Sequence, residues 1–413
     1  MITVAAALDQ ILNAITPLGM EKVNLLDALG RVLGEEVVAG RNIPPKDNSA
    51  MDGYALHWRD TIGASEENPV ILEVTEDIPA GAIPRHGLAA GQAARIMTGA
   101  PLPAGADAVL RMEDTEKDGI KVKIKVAVQP GQDIRSAGED VREGEVVLSV
   151  GDLVRPAGIG MLASLGRSFI SVYQRPLVAV LATGNELVDI DENPTPWNIV
   201  NSNSYSIASL ARDCGALVMQ LGIARDERED LLAKFRAAMR ADVIISTGGV
   251  SVGDYDLVKD IMQEVGSSMQ FWQVAMRPGK PLAYGTMGDV PMFGLPGNPV
   301  SCMISFEEFV RPALLKMMGH QKLFRRTVKA VLQEDIEKRT GLTHFIRALV
   351  KLGPGGYTAT TTGEQGSGIL KSMVRANGLI VLPEDLEIVR AGTEVPVQLL
   401  DSSLAGTAQP DYL

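Results

Sequence analysis

Three glycine-rich turns, each following a short aliphatic segment, carry residue types suited to binding a phosphate group. They are Ala182-Thr183-Gly184-Asn185-Glu186, Thr247-Gly248-Gly249-Val250-Ser251-Val252-Gly253-Asp254 and Pro296-Gly297-Asn298-Pro299. Glycine lets backbone N–H groups approach a ligand, and the N-terminus of a following helix favours negative charge. One such turn alone indicates only the end of a strand, whereas the three together predict a phosphate-bearing ligand.

Acidic side chains occur in or near the same turns: Glu186, Asp226, Asp254 and Asp256. Carboxylates beside a phosphate would repel it unless a Mg²⁺ ion lies between them and takes oxygen ligands from both. The alternative role is helix capping, which suits Asp256 in particular. The set therefore predicts either a magnesium site or a group of capped helix starts.

Two cations lie on the proline-braced turn Arg277-Pro278-Gly279-Lys280-Pro281. A guanidinium and an ammonium held this close could bind an oxyanion in a fixed geometry. The alternative is an ordinary solvated surface turn. The apolar segments on both sides favour the binding role.

A second cluster lies in the segments Asn48-Ser49-Ala50-Met51-Asp52-Gly53-Tyr54-Ala55, Arg95-Ile96-Met97-Thr98-Gly99-Ala100-Pro101 and Gly138-Glu139-Asp140. The segments combine acids, hydroxyls and turn formers. None of them is a general catalytic motif, and by residue type alone all three are also consistent with turns.

Alternating β and α patterns predict the element that positions the three glycine-rich turns. Short aliphatic strands at 177–181, 216–222, 242–247, 282–285 and 291–295 are interleaved with helices at 201–214, 229–239 and 300–317. This alternation predicts a mostly parallel sheet covered on both faces. Ligands of such sheets bind beyond the carboxyl ends of the strands, where the turns are expected to lie.

Other segments predict β-rich domains and an N-terminal helical region. In the run 119–128, aliphatic residues alternate with Lys121, Lys123 and Lys125, as expected for a half-buried strand. Residues 1–40 read as two helical stretches, the first capped by Thr3. The last segment has short strands with Gly and Pro turns, which predicts a small barrel.

Four domains follow, with the first built from two separate segments. We predict a helical and linker domain at 1–41 plus 145–174 and a β-rich domain at 42–144. A three-layer α/β domain at 175–324 and a C-terminal β-barrel domain at 325–413 complete the chain. The fold class is thus α/β plus all-β in a multidomain chain.

Composition and charge exclude several functional classes. The net charge of -12 disfavours a nucleic-acid partner, because the chain repels a phosphate backbone. No run of about 18 apolar residues predicts a membrane span. Cys214 and Cys302 are isolated, so we expect neither a disulfide framework nor structural zinc, and a cytoplasmic location fits.

As an ordered set, these motifs resemble the MoeA family, whose members include the E domain of gephyrin-like proteins. The matching strings are NSAMDGYA, RIMTGAPLP, GED, LATGNEL, TGGVSVGDYD, RPGKP, GLPGNPVS and TTGEQGS, spread over nearly the whole chain. The resemblance implies an elongated homodimer of four-domain subunits, with a molybdopterin-binding α/β domain and with active sites at the subunit interface. It also implies Mg²⁺-dependent insertion of molybdenum from molybdate into adenylylated molybdopterin, with release of AMP.

Residue roles follow from the same resemblance. Asp52, Thr98 and Asp140 match catalytic positions that complete the partner's site, and Glu186, Asp226 and Asp256 match acidic positions of the α/β domain. Asp226 and Asp256 are the implied metal ligands. The substrate and anion-binding set comprises Gly248, Gly249, Ser251, Arg277, Lys280, Ser301, Arg347 and Ser367. Arg277 departs from the lysine common in the family, and its planar fork could change oxyanion affinity.

Two other functions compete with metal insertion. Adenylylation of molybdopterin is one, because the α/β domain resembles that enzyme class as well; the two β-rich domains argue against it. A scaffold role is the other, and the retained acidic and basic residues argue against that. The implied protein partners are a molybdopterin adenylyltransferase and recipient molybdoenzymes.

Overall fold

The computed structural model describes residues 1–248, 261, 264 and 266–401. The chain divides into two compact units, one formed by Val23–Leu29 and Glu35–Ile170 and the other by Met1–Lys22, Gly30–Gly34 and Ser171–Leu413. Of the sequence-predicted site residues, Gly249, Ser251, Asp254 and Asp256 lie outside the described residues. The four predicted domain boundaries stay predictions.

A six-stranded sheet organises the unit formed by Val23–Leu29 and Glu35–Ile170. Its strands are Gly53–Leu56 (β1), Val70–Ile78 (β2), Gln92–Ile96 (β3), Ala108–Arg111 (β4), Thr115–Asp118 (β5) and Lys121–Ile124 (β6). Their order is β4-β1-β3-β2-β6-β5, with only β2 and β3 parallel. This unit also contains the helix Pro156–Ser164 and short helices at Leu25–Ala28, Trp58–Thr61 and Met112–Asp114.

The predicted alternation in the lysine-rich strand is confirmed, but the strand is shorter than its pattern. In β6, Val122 and Ile124 are buried whereas Lys121 is exposed. Gly119 has a φ of +62° and lies in the hairpin turn between β5 and β6. The strand therefore begins only at Lys121, after this turn, and not at residue 119 as the pattern predicted.

The second unit is built on a six-stranded α/β sheet, which confirms the predicted α/β domain. Its strands are Leu177–Thr183 (β7), Leu217–Ala224 (β8), Val243–Thr247 (β9), Ser267–Gln273 (β10), Pro281–Met287 (β12) and Val290–Leu295 (β13), with the short strand Met276–Arg277 (β11) beside them in sequence. The order is β8-β7-β9-β13-β12-β10; the first four strands are parallel.

Both faces of this sheet are buried, as predicted. Val178 and Val180 belong to one hydrophobic cluster, and Ala179 and Leu181 belong to another. Because successive side chains of a strand point to opposite faces, the two clusters lie on opposite sides of β7.

The helices of this unit whose bounds lie within the described residues are Val4–Ala14 (α1), Ser202–Asp213 (α2), Arg228–Ala238 (α3), Pro299–Ser305 (α4), Arg311–Met317 (α5) and Leu370–Arg375 (α6). Thr3 caps α1, as predicted, by accepting a hydrogen bond from Ala6 N at 3.2 Å. The predicted helix 300–317 contains a π-helical turn at Phe306–Val310 between α4 and α5.

The prediction of two helical stretches in residues 1–40 was wrong. A strand at Met20–Asn24 and only a 3-10 helix at Leu25–Ala28 follow α1. Gly30 has a φ of +73°, outside the helical region, and so stops the second stretch from lengthening.

The C-terminal segment forms a closed five-stranded barrel, confirming the predicted barrel. Its strands are Thr327–Leu332 (β14), Thr343–Gly353 (β15), Gly356–Thr361 (β16), Gly378–Leu382 (β17) and Glu394–Leu399 (β18). They pair in the ring β15-β16-β14-β18-β17, and β17 pairs back to β15. The short strand β11 pairs in parallel with β15, which joins the basic turn to the barrel.

Ten two- to five-residue strands complete the described elements of the two units. They are Met20–Asn24, Val37–Val38, Asn48–Ser49, Ile134–Arg135, Val146–Leu148, Phe169–Tyr173, Leu187–Val188, Ile199–Val200, Ile336–Glu337 and Ile388–Val389.

The close approach of β12 to β10 gives a test of this sheet. A Cβ at Gly285 would lie 2.2 Å from the carbonyl oxygen of Ser268, so Gly285→Ala should destabilise the protein by about 2 kcal/mol through overpacking. Gly353→Ala is the matched control, because a Cβ there meets no atom within 4 Å. Thermal unfolding of both variants measures the difference; equal melting temperatures would contradict the described packing.

Candidate functional site

A cavity of about 450 Å³ lies at the carboxyl ends of β7, β9 and β13. Thr183 and Thr247, the last residues of β7 and β9, line it together with Gly248 and Gly297. The described parts of the three predicted turns therefore converge, as expected for a parallel sheet.

Two of the glycines are required by the backbone. Gly184 has a φ of +140°, and a Cβ there would lie 2.5 Å from Glu186 Oε2. Gly248 has a φ of +84°, and a Cβ there would lie 2.8 Å from the carbonyl oxygen of Thr183. Any side chain at either position would obstruct the turn and displace the cavity wall.

Polar groups of the cavity wall favour an anionic ligand. The N-terminus of α2 faces the cavity through Asn201, Ser202 and Asn203, and Asn201 caps the helix by accepting from Ser204 N at 3.2 Å. Asn203 Nδ2 donates to the carbonyl oxygen of Gly297 at 2.7 Å. Thr183 Oγ1 is buried and has no hydrogen-bond partner among the described residues. A ligand oxygen at the helix start would be stabilised by these groups.

The acidic positions Glu186 and Asp226 belong to neighbouring turns. Glu186 is exposed and lines the cavity, and Asp226 is partly exposed two residues beyond the end of β8. The side chain of Asn185 joins the turns, because its Oδ1 accepts a hydrogen bond from Asp226 N at 3.1 Å. This linking role of Asn185 is missing from the sequence-based site, although the residue belongs to a recognised turn.

The basic turn separates this cavity from a second one of about 700 Å³. Pro281 lines the first cavity, whereas Arg277 and Pro278 line the second. Arg277 and Lys280 are exposed, and Gly279 is buried with a φ of +102°. A Cβ at Gly279 would lie 2.7 Å from the hydroxyl of Ser305, so α4 supports the turn from beneath.

Arg347, on strand β15, is the most buried cation of the second cavity, with 1% of its surface exposed. It forms no salt bridge within the described part of the chain; its Nε and Nη2 donate to Ser372 Oγ and Gly366 O, both at 3.1 Å. Burial lowers its pKa to about 10, so it remains charged at neutral pH. A buried, uncompensated cation beside a cavity is a candidate anion site.

Ser301 and Ser367 belong to segments that the structure brings together. Ser301 is buried in α4, with 4% of its surface exposed. The preceding residue, Val300, donates its backbone N–H to the carbonyl oxygen of Ser367 at 3.1 Å. Thus the N-terminus of α4 contacts the loop that also carries Gly366, next to Arg347.

His344 and Lys338 also line the second cavity and were not predicted as site residues. Burial, then Lys338 and Arg277, lower the pKa of His344 to about 4, so its imidazole is neutral at pH 7. Its Nε2 is buried without a partner among the described residues. The only signal for these two residues in the sequence was their proximity to Arg347, which follows His344 by three residues and Lys338 by nine.

Asp52 and Thr98 meet in the other unit. Asp52 Oδ1 accepts from the backbone N of Thr98 at 2.7 Å and from its Oγ1 at 2.8 Å. The backbone hydrogen bond, then the hydroxyl, then Arg95 lower the pKa of Asp52. Asp140 is exposed in the same unit and donates its backbone N–H to Ile43 O at 3.0 Å. No hydrogen bond joins Asp140 to Asp52 or Thr98 in the described structure.

The chain matches the domains of one class of protein over most of its length. A probable molybdopterin binding domain matches residues 179–316, which contain the α/β sheet and the first cavity. The MoeA N-terminal region (domain I and II) matches residues 2–166, and the MoeA C-terminal region (domain IV) matches residues 329–400, which contain the barrel. The fold is thus that of a multidomain protein built around a molybdopterin-binding-type domain.

The chain belongs to the MoeA family. It is 42% identical to molybdopterin molybdenumtransferase 2 of Mycobacterium tuberculosis over 381 residues, covering 91% of this chain and 94% of that one. It is 38% identical to molybdopterin molybdenumtransferase of Bacillus subtilis, covering 92% and 90%. The crystal structure of the molybdopterin biosynthesis moeA protein from Pyrococcus horikoshii OT3 has a TM-score of 0.82 at 34% identity, covering 97% of this chain and 100% of that one.

Substitution of Thr98 tests the hydrogen bonds to Asp52. Thr98→Val removes the hydroxyl and keeps the backbone donor, so the pKa of Asp52 should rise while staying below its ordinary value. Thr98→Ser is the matched control, because it keeps both donors. Carboxyl NMR titration measures both pKa values; an unchanged Asp52 pKa in Thr98→Val would contradict the described contact.

Proposed function

We propose that this chain is a molybdopterin molybdenumtransferase, which inserts molybdenum from molybdate into adenylylated molybdopterin and releases AMP. The buried, uncompensated Arg347 beside the second cavity carries this proposal, because a compact dianion would neutralise it. Relatives at 38–42% identity that bear this enzyme name support the assignment.

We assign the phosphate-bearing part of the substrate to the first cavity. The start of α2, the unpartnered Thr183 hydroxyl and the backbone of Gly248 supply neutral polar groups suited to phosphate oxygens. The volume of about 450 Å³ accommodates a small organic ligand.

We assign molybdate to the second cavity. Arg347 supplies a fixed buried charge there, and Arg277 supplies an exposed charge at the rim. Lys280, Ser301 and Ser367 lie on the adjoining turn, helix and loop and belong to the same proposed anion-binding set. Because the basic turn borders both cavities, an oxyanion in one lies close to a substrate in the other.

We propose that Mg²⁺ binds between the acidic turns and the substrate phosphates, because within the described ranges no cluster of three or more acidic, His or Cys ligands could hold a metal by itself. Glu186 and Asp226 supply carboxylates on turns that Asn185 joins, and Mg²⁺ is commonly held by one or two carboxylates together with substrate phosphates. Asp256, the other proposed ligand, lies outside the described residues. When bound, the ion would neutralise charge on the phosphate oxygens. Hydrolysis then needs a water placed at the adenylyl phosphorus, and a carboxylate of this set would orient it.

The remaining roles concern assembly. We propose a homodimer in which Asp52, Thr98 and Asp140 of one subunit complete the site of the other. Among the described residues, no helix is long and apolar enough to cross a membrane. We propose a cytoplasmic location, with an adenylyltransferase as supplier of the substrate and molybdoenzymes as recipients of the product.

Removal of the rim charge tests the function. Purified protein is incubated with adenylylated molybdopterin and Mg²⁺, with and without molybdate, and AMP and active cofactor are quantified. Arg277→Ala should raise the molybdate concentration for half-maximal rate about tenfold, as expected for loss of a charged hydrogen bond. Lys329→Ala, an exposed cation on β14, is the control and should behave as wild type.

The other outcomes discriminate the alternatives. Transfer of AMP from ATP to molybdopterin would identify an adenylyltransferase. A folded wild-type protein that forms neither AMP nor cofactor would favour a scaffold.

A further inference from the structure

The backbone of Arg347 is held by a side chain where a strand ends. Strand β16 pairs with β15 only as far as Thr361, opposite Ala348. Beyond it, Thr362 N still donates to Arg347 O at 3.0 Å. The carboxamide of Gln365 supplies the rest: its Oε1 accepts from Arg347 N at 2.9 Å, and its Nε2 also donates to Arg347 O at 3.2 Å. Gln365 thus satisfies the backbone N–H of Arg347, which a longer strand would have paired, and shares the carbonyl oxygen of Arg347 with Thr362.

The guanidinium of Arg347 is held along one edge. Ser372 Oγ donates to Ile369 O at 2.7 Å, which turns its lone pairs toward Arg347 Nε. Gly366 O accepts from Nη2. Nη1 has no hydrogen bond to any residue in the described ranges, although Arg347 lines the cavity.

Every acceptor in this arrangement is neutral. A hydroxyl and a carbonyl fix the plane of the guanidinium without cancelling its charge, whereas a carboxylate would do both. The other anchored cations contrast with this: Glu307 accepts from Arg325 Nε at 2.7 Å, and Asp335 accepts from Arg390 Nη1 at 2.6 Å.

We propose that Gln365 and Ser372 are positioning residues that present Arg347 Nη1 to the oxyanion substrate with its full charge. This inference rests on the proposed function, which assigns molybdate to the cavity beside Arg347. Neither residue is expected to touch the reacting atoms; they act through the orientation of Arg347. Their effect should therefore fall on oxyanion affinity rather than on the rate at saturation.

Ser372→Ala removes the acceptor for Nε and is compared with Ser204→Ala, a buried serine whose hydroxyl has no partner among the described residues. Titration calorimetry with molybdate alone should show about tenfold weaker binding for Ser372→Ala and wild-type binding for Ser204→Ala. In the AMP-release assay, the KM for molybdate should rise about tenfold while kcat changes less than twofold. A merely structural loss would lower kcat or the folded fraction instead.

Gln365→Glu provides a second readout that does not depend on Ser372. Its volume and its Oε1 acceptor are kept, but its Nε2 donor to Arg347 O is lost. A carboxylate is placed beside Arg347, in a cavity that Glu334, Asp335, Glu337 and Glu387 also line. Because the ordinary pKa of a glutamate is about 4.3 and the neighbouring Arg347 would lower it further, this carboxylate is ionised from about pH 5.5 to 8, and molybdate affinity should fall relative to wild type by a similar factor across that range.

The outcomes separate the two proposals. Wild-type protein that neither binds molybdate nor releases AMP overturns the proposed function. If wild-type protein binds molybdate, an unchanged molybdate affinity in folded Ser372→Ala or in folded Gln365→Glu overturns the positioning role.

Discussion

The burial of one guanidinium without a counter-charge is the constraint on which the site depends. Arg347 is 1% exposed and forms no salt bridge with the described residues. Leaving a buried charge unpaired costs several kcal/mol unless hydrogen bonds and a ligand compensate for it. The closed barrel provides the rigid β15 strand that holds this side chain, and β11 ties the basic turn to the same strand.

Strand β11 and the turn that follows it link the α/β sheet to the barrel that holds Arg347. The turn after β11 borders both cavities, so the position of Arg277 depends on packing beneath Gly279 and on pairing with β15. In the first cavity, positive φ values at Gly184 and Gly248 bring backbone close to the proposed phosphate site. Two cavities with different linings therefore lie on either side of one short turn, and we propose that they take ligands of different chemistry.

Much of this arrangement was predictable from sequence because it rests on local patterns. Buried strands read as aliphatic runs, Thr3 reads as a helix cap, and glycine turns after strands indicate the edge of the sheet where a ligand binds. The Leu25–Ala28 segment was mistaken for a longer helix because apolar spacing does not report where a glycine takes positive φ. Residue roles in the site came from the family resemblance and stay predictions.

What the sequence could not predict are contacts between distant segments. Gln365 completes the pairing of Arg347 only because β16 ends at Thr361, and no periodic pattern encodes that. The burial of Arg347 and His344 likewise depends on barrel closure. Burial of a charged residue opposes its average preference, so only the fold reveals it.

The central claim is that the buried charge of Arg347 holds the oxyanion. Anomalous diffraction from crystals of the protein soaked with molybdate or tungstate tests it most directly. We expect a metal peak in the cavity beside Arg347 Nη1, within reach of Arg277. A fully occupied peak elsewhere, with this cavity empty, would contradict the account.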